Sequence, residues 1–208
     1  MKIELKRIEF SERLSQETNA FSADLYINGR KVGEASNQGR GGPTDYGSYD
    51  EEGRALIKEA EAYCKTLPPH TFKMNGETHS IEMDLEMYID NLLTDYLEQK
   101  ELQKFRRAME KAMIKSFVIG ITDKSYDKWT FKVPLAQFMS SPNKPEVMAN
   151  LIKQYVIPKL VDGNILLNTN IPESFLKLAG LKEGQYVPFK EVKPEANKKQ
   201  SPKKSKRI

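Results

Sequence analysis

The sequence predicts an α+β protein. Period-two alternation recurs near the start, in the middle and late in the chain, helical periodicities cluster between those segments, and strand and helix do not alternate in the regular order of a parallel sheet. The expected architecture is an N-terminal β-hairpin region, a central long helix or helical hairpin, a second small β region with helices, and a disordered basic C-terminal tail. Residues 1–192 make up the expected globular body, with a subdivision near 115, and residues 193–208 make up the tail.

Taken in order, Ile3 and Leu5 alternate with charged residues, and the phase then shifts to Ile8 and Phe10, as in a bulged strand. Phe21, Ala23, Leu25 and Ile27 share one face of a second strand. Asn28-Gly29 follows, a pair that tolerates the positive φ of a type I′ turn, so a hairpin returning through residues 30–36 is expected. Residues 37–49 hold four glycines and a proline and read as an irregular loop. Asp50 then caps a helix whose acidic first turn, Glu51 and Glu52, suits the dipole. Its buried stripe is Leu56, Ile57, Ala60, Tyr63, Cys64 and Leu67, and Pro68-Pro69 ends it. A second hairpin is expected about Asn75-Gly76.

From residue 85 to 113, apolar residues recur at spacings of three and four with no proline or glycine, which predicts one long helix or two broken near Gln99. Residues 117–122 and 129–133 read as a hairpin joined by a turn over 123–128. A short helical turn through Leu135 and Phe138, a breaker at Ser141-Pro142-Asn143, and a helix carrying Val147, Leu151, Ile152, Tyr155 and Val156 follow. Residues 165–167 read as a short strand. Residues 172–179 read as a helix with Asn170 as its cap and Gly180 at the C′ position, and residues 185–192 are expected to close the sheet.

The lone cysteine, Cys64, lies in an apolar helical pattern, as a small buried hydrophobe does. The first residues alternate charge with apolar side chains, unlike a signal peptide, and no run approaches the roughly 18 apolar residues of a membrane span. The expectation is a cytoplasmic protein without a membrane contact.

The formal net charge is +4, from 33 basic and 29 acidic residues. The tail carries Lys193, Lys198, Lys199, Lys203, Lys204, Lys206 and Arg207 against Glu195, so the expectation is that the positive excess lies in the tail and the body is close to neutral at −2. The tail lysines and Arg207 are candidate contacts for a polyanion, since such contacts need no sequence readout. A second basic set, Lys100, Lys104, Arg106, Arg107, Lys111 and Lys115, is interrupted by Glu98, Glu101 and Glu110, which intrahelical ion pairs explain equally well.

No catalytic constellation stands out. His70, His79 and Cys64 fall on different predicted elements without zinc-like spacing, so no metal or other cofactor is expected. The acids Glu82, Asp84, Glu86, Asp90 and Asp95 read as a solvated helix face. The segment that competes for a role is the glycine-rich loop. Asn37, Gly39, Arg40, Gly41, Gly42, Asp45 and Tyr46 are its candidate ligand or partner residues, because successive glycine amides can form an anion nest beside an arginine. The loop lacks the Lys-Ser/Thr of a P-loop, and the acids at 50–52 would repel an anion.

Three functions follow in order. The first is a non-enzymatic binding or adaptor protein acting near nucleic acid through the tail and the glycine loop. The second is a protein-interaction or assembly subunit, self-associating through the 85–113 helix. The third is an enzyme or sensor holding a phosphorylated small molecule at residues 39–42.

Overall fold

The computed structural model describes residues 1–140 and 144–190. The chain divides into two compact units, Met1–Glu101 and Leu102–Ile208.

In the first unit a four-stranded antiparallel sheet has the order β1 (Ile3–Phe10), β2 (Phe21–Ile27), β3 (Arg30–Asn37) and β4 (Asp45–Ser48). The expected bulge is present. The β1/β2 register shifts between Lys6 and Glu9, and Arg7 takes a φ of 49° there. The Asn28-Gly29 turn has φ values of 51° and 86°, as a type I′ turn requires. Helix α1 (Glu51–Cys64) starts at Asp50, whose Oδ1 accepts from the Gly53 amide at 2.6 Å, and it buries Ile57, Ala60 and Cys64 against the sheet residues Leu25, Ile27 and Val32. The Asn75-Gly76 hairpin forms as β5 (His70–Met74) and β6 (Glu77–Ile81), a separate two-stranded sheet.

Helix α2 (Leu85–Met113) runs 29 residues without the expected alternative of a break near Gln99. Its apolar stripe is divided between cores. Leu85, Ile89 and Leu93 are buried in the first unit, whereas Met109, Ala112 and Met113 belong to a cluster in the second.

In the second unit β7 (Ser116–Ile121) is the middle strand of three, flanked by β8 (Ser125–Thr130) and β9 (Ile165–Leu166). Helices α3 (Leu135–Ser140), α4 (Lys144–Tyr155) and α5 (Glu173–Leu178) supply Leu135, Met148, Ile152 and Leu176 to a core built on Phe117 and Ile119.

Several expectations are corrected. Residues 37–49 are not wholly irregular, because β4 pairs Tyr46 with Ala35 and turns Tyr46 toward the core. The strand is hidden in the sequence by Gly47, whose carbonyl oxygen lies where a Cβ on Gly33 would sit, 1.6 Å away. The turn expected over 123–128 is shorter, with Asp123 at φ 59° and β8 already begun at Ser125; Val133 falls outside the strand. On α4 the expected face holds at Ile152 and, just past the helix end, at Val156, which are buried, and at Leu151 and Tyr155, which pack against them; Val147 is exposed, and Met148 and Ala149 are buried in its place. Pro172, not Asn170, is the cap of α5. Of residues 185–192, expected to close the sheet, those as far as 190 join β9 through one parallel bridge, Leu166 to Tyr186, and 191–192 lie outside the described residues. Gly180 does take the expected left-handed C′ conformation, at φ 89°.

The displaced asparagine belongs to a buried amide relay. The Asn168 side chain, fully buried, accepts from the Val118 amide at 2.7 Å and donates to the Ser116 carbonyl at 3.0 Å and to Asn170 Oδ1 at 3.0 Å. Asn170 in turn donates to the Met113 carbonyl at 2.8 Å.

Two pairs of variants test these contacts by chemical denaturation. Gly33→Ala should destabilise the protein by about 3 kcal/mol through overpacking, whereas Gly47→Ala, with open space around its Cβ position, should stay within about 0.5 kcal/mol of wild type. Asn168→Ala orphans a buried amide and a buried carbonyl and should cost about 3 kcal/mol or more; Asn170→Ala, removing two partly buried bonds, should cost about 2 kcal/mol.

Candidate functional site

The glycine-rich segment is a loop whose polar groups are largely turned inward. Asn37 Oδ1 accepts from the Gly39 amide at 2.8 Å and from Thr18 Oγ1 at 2.9 Å, and its Nδ2 donates to the Gly42 carbonyl at 2.9 Å. The Gly39 carbonyl accepts from the Gln16 and Glu17 amides, and the Gly41 amide donates to Thr18 Oγ1 at 3.3 Å. Gly39 and Gly41 have φ values of 81° and 82°, and side chains there would strike Leu14 and Glu17. Two of the amides that an anion nest would need therefore already have protein partners.

The remaining candidate residues of this segment separate. Arg40 is exposed and lines a cleft of about 540 Å³ whose apolar wall includes Phe10, Leu14 and Phe21 and whose rim includes Glu9 and Gln16. Asp45 is an exposed β4 residue. Tyr46 donates to Glu61 Oε1 at 3.0 Å, tying β4 to α1; burial, then that carboxylate, pushes its phenol up to about 12. Beyond the loop, the Thr44 amide donates to Glu86 at 3.0 Å and its hydroxyl donates to Asp90 Oδ1 at 2.6 Å. Burial raises the Asp90 pKa above its ordinary 3.8, and the neighbouring charges of Glu86 and Asp84 add to the rise while the Thr44 bond opposes it.

A second site lies in the other unit. A cleft of about 400 Å³ is lined by Lys111 from α2, by Lys115 from the turn that follows it, by Lys128 and Thr130 from β8, and by Ser116 and Ile114, with no carboxylate in its lining. Among the described residues none of these three lysines makes an ion pair. The neighbouring Arg106 differs. It forms a two-point ion pair with Asp123, its Nε at 2.8 Å from Oδ1, and so is held by the β7/β8 turn and not by an intrahelical acid. Lys100 lies over the Tyr96 ring.

No family model, curated protein or solved structure matches the chain.

The tail candidates Lys198, Lys199, Lys203, Lys204, Lys206 and Arg207 lie outside the described residues. Among the described residues no group of His, Cys, Asp or Glu is arranged to hold a metal, and no helix is long and apolar enough to cross a membrane. Cys64 is buried, and burial raises its thiol pKa. The lysine cleft was only half visible in the sequence: Lys111 and Lys115 are close in the chain, at the end of α2 and in the turn after it, but Lys128 joins them solely through the β7/β8 pairing of Val118 with Lys128.

Asp90 gives a pH test. A carboxyl whose folded pKa is raised stabilises the fold in its protonated form; that contribution is full below 3.8 and is lost as pH rises through the folded pKa. Asp90→Asn keeps an acceptor for Thr44 and removes the charge, so its melting temperature should rise relative to wild type between about pH 3 and pH 7. A difference independent of pH would refute the assignment.

Proposed function

We propose that the protein is a non-enzymatic adaptor that binds nucleic acid through its second unit, by sequence-independent contact with the phosphate backbone. One observation carries the reading: the charge divides at the boundary between the units. Residues 1–101 hold 12 basic and 20 acidic residues, a net −8, and residues 102–208 hold 21 basic and 9 acidic, a net +12. The body's sum of −2 is thus a cancellation between an acidic first unit and a basic second one. The tail still holds the excess over residues 1–192 as a whole, but within them residues 102–192 carry 14 basic and 8 acidic residues, a net +6 of their own. Such asymmetry between halves of a chain is the electrostatic footprint of a polyanion-binding unit.

The lysine cleft gives this charge a place. Three ammonium groups without acidic partners among the described residues, with the Thr130 hydroxyl lining the same cleft, suit phosphate oxygens as point charges and hydrogen-bond donors. The sequence from Lys198 to Arg207 adds further cations to the same unit. The glycine loop supports a phosphorylated ligand less well, since its Gly39 and Gly41 amides are engaged and Arg40 is the cation left to it in a unit of net −8.

Fluorescence anisotropy of a labelled oligonucleotide, measured on the full chain across a salt series, tests the proposal. Log K should fall linearly with log salt, and the triple variant K111Q/K115Q/K128Q should reduce the slope by about 2 at roughly 0.7 per lost phosphate contact on a single strand. No binding at about 50 mM salt, or a slope untouched by the triple variant and by glutamine at Lys198, Lys199, Lys203 and Lys204, would overturn it.

A further inference from the structure

We propose that the stacked pair Trp129 and Tyr155 is a base-stacking platform, so that the nucleic acid taken by the second unit is single-stranded. The inference rests on the nucleic-acid reading above and adds what kind of strand is bound.

Trp129, the chain's single tryptophan, lies on β8, the outer strand of the three-stranded sheet. Its indole stacks on the Tyr155 ring with centroids 4.4 Å apart and planes 19° from parallel. Tyr155 meets Phe131 edge-on, and Phe131 meets Phe117 and Phe138 edge-on at 5.1 and 5.2 Å. The indole is therefore backed by an aromatic array rooted in the core, which fixes its orientation. Yet Trp129 remains 41% exposed. Tyr155 covers one ring face, so a flat base would take the other, and the residue's exposure leaves room for it.

The surroundings supply the rest of a nucleotide contact. Side chains alternate along a strand, so Lys128 and Thr130 point into the lysine cleft while Trp129 points to the aromatic side. On either side of Trp129 the backbone rises only about 3.3 Å per residue. A strand crossing the outer edge of β8 can thus place phosphate by Lys128 and lay its base on Trp129. Lys132 and Lys153 are exposed nearby in sequence to the two rings, and Asp127 is the carboxylate on the same face of β8. Bases in a duplex are stacked inside it and unavailable to such a platform, whereas unpaired bases stack on aromatic rings whatever their identity.

Because Trp129 is the only tryptophan, fluorescence excited beyond the absorption of the nine tyrosines reports this position alone. The full chain is titrated with a thymidine oligonucleotide, with a duplex of equal length, and with inorganic polyphosphate, which carries charge but no bases. The oligonucleotide should quench Trp129, and polyphosphate should bind without quenching. Trp129→Ala should weaken oligonucleotide binding about tenfold while leaving polyphosphate affinity unchanged. Trp129→Phe, which keeps the core contact, should fall between, and decides the matter by anisotropy if the alanine variant does not fold. Polyphosphate binding without oligonucleotide quenching, or equal loss of both ligands in the Trp129 variants, overturns the platform alone. Failure of every polyanion to bind overturns the proposed function and the platform with it.

Discussion

The second unit depends on one buried side-chain amide. Strand β9 is two residues long, too short to satisfy β7 along its length. Asn168 continues the ladder with its side chain, offering an acceptor to Val118 and a donor to Ser116 where a backbone peptide would otherwise stand. Through Asn170 the same relay reaches the Met113 carbonyl, one of the final groups of α2 that no helical amide can satisfy. The end of α2 is thereby fixed against β7. Lys111 rides on that end, Lys115 on the turn that joins it to β7, and Lys128 lines the same cleft from the strand paired with β7. Three like charges around one cleft repel each other, so their arrangement is maintained by the core beneath them and not by mutual attraction.

The first unit directs its polar groups differently. Asp24, nearly buried on the outer face of the sheet, is held by Arg7 and by Lys31 at 2.7 Å, and Arg30 bridges Asp50 at 2.8 Å and Glu52. Asn37 gathers the glycine loop, and Thr44 anchors its far end on the acids of α2. Close backbone approach explains the glycines here. Gly33 admits the Gly47 carbonyl, and Gly39 fits against Leu14 and Ala20. What reads as a loop poised for a ligand is, in most of its hydrogen bonds, a fastening between β3, the 11–20 segment and helix α2.

Local signals were legible in the sequence wherever they were self-contained. The Asn-Gly turns, the Asp50 cap, the β1 bulge and the long stripe of α2 each depend on residues close in the chain, and each formed as read. The misses depend on partners far away. β4 has too few apolar residues to declare itself and exists because β3 offers an edge. Asn170 looked like a helix cap because its partner, Met113, lies 57 residues earlier. Lys128 and Trp129 sat in an expected turn and at the start of an expected strand, and their opposed directions follow only from the β7 register. The charge division was present in the composition, but it could be summed correctly only once the boundary at Glu101 was known.

That division also decides how electrostatics and stacking share the work of a contact. At physiological ionic strength charges act over about 8 Å, so a polyanion responds to the unit it touches and not to the chain's average. In the proposed contact, the first unit, at net −8, does not favour phosphate, and the second, at net +12, does. Within that contact the lysines attract any polyanion, with an affinity that salt erodes. Stacking on Trp129 is far less sensitive to salt and requires an exposed base. In the proposed contact, cations on one face of β8 and an indole on the other would thus divide attraction from discrimination between adjacent residues of one strand, with the strand's own alternation as the device that separates them.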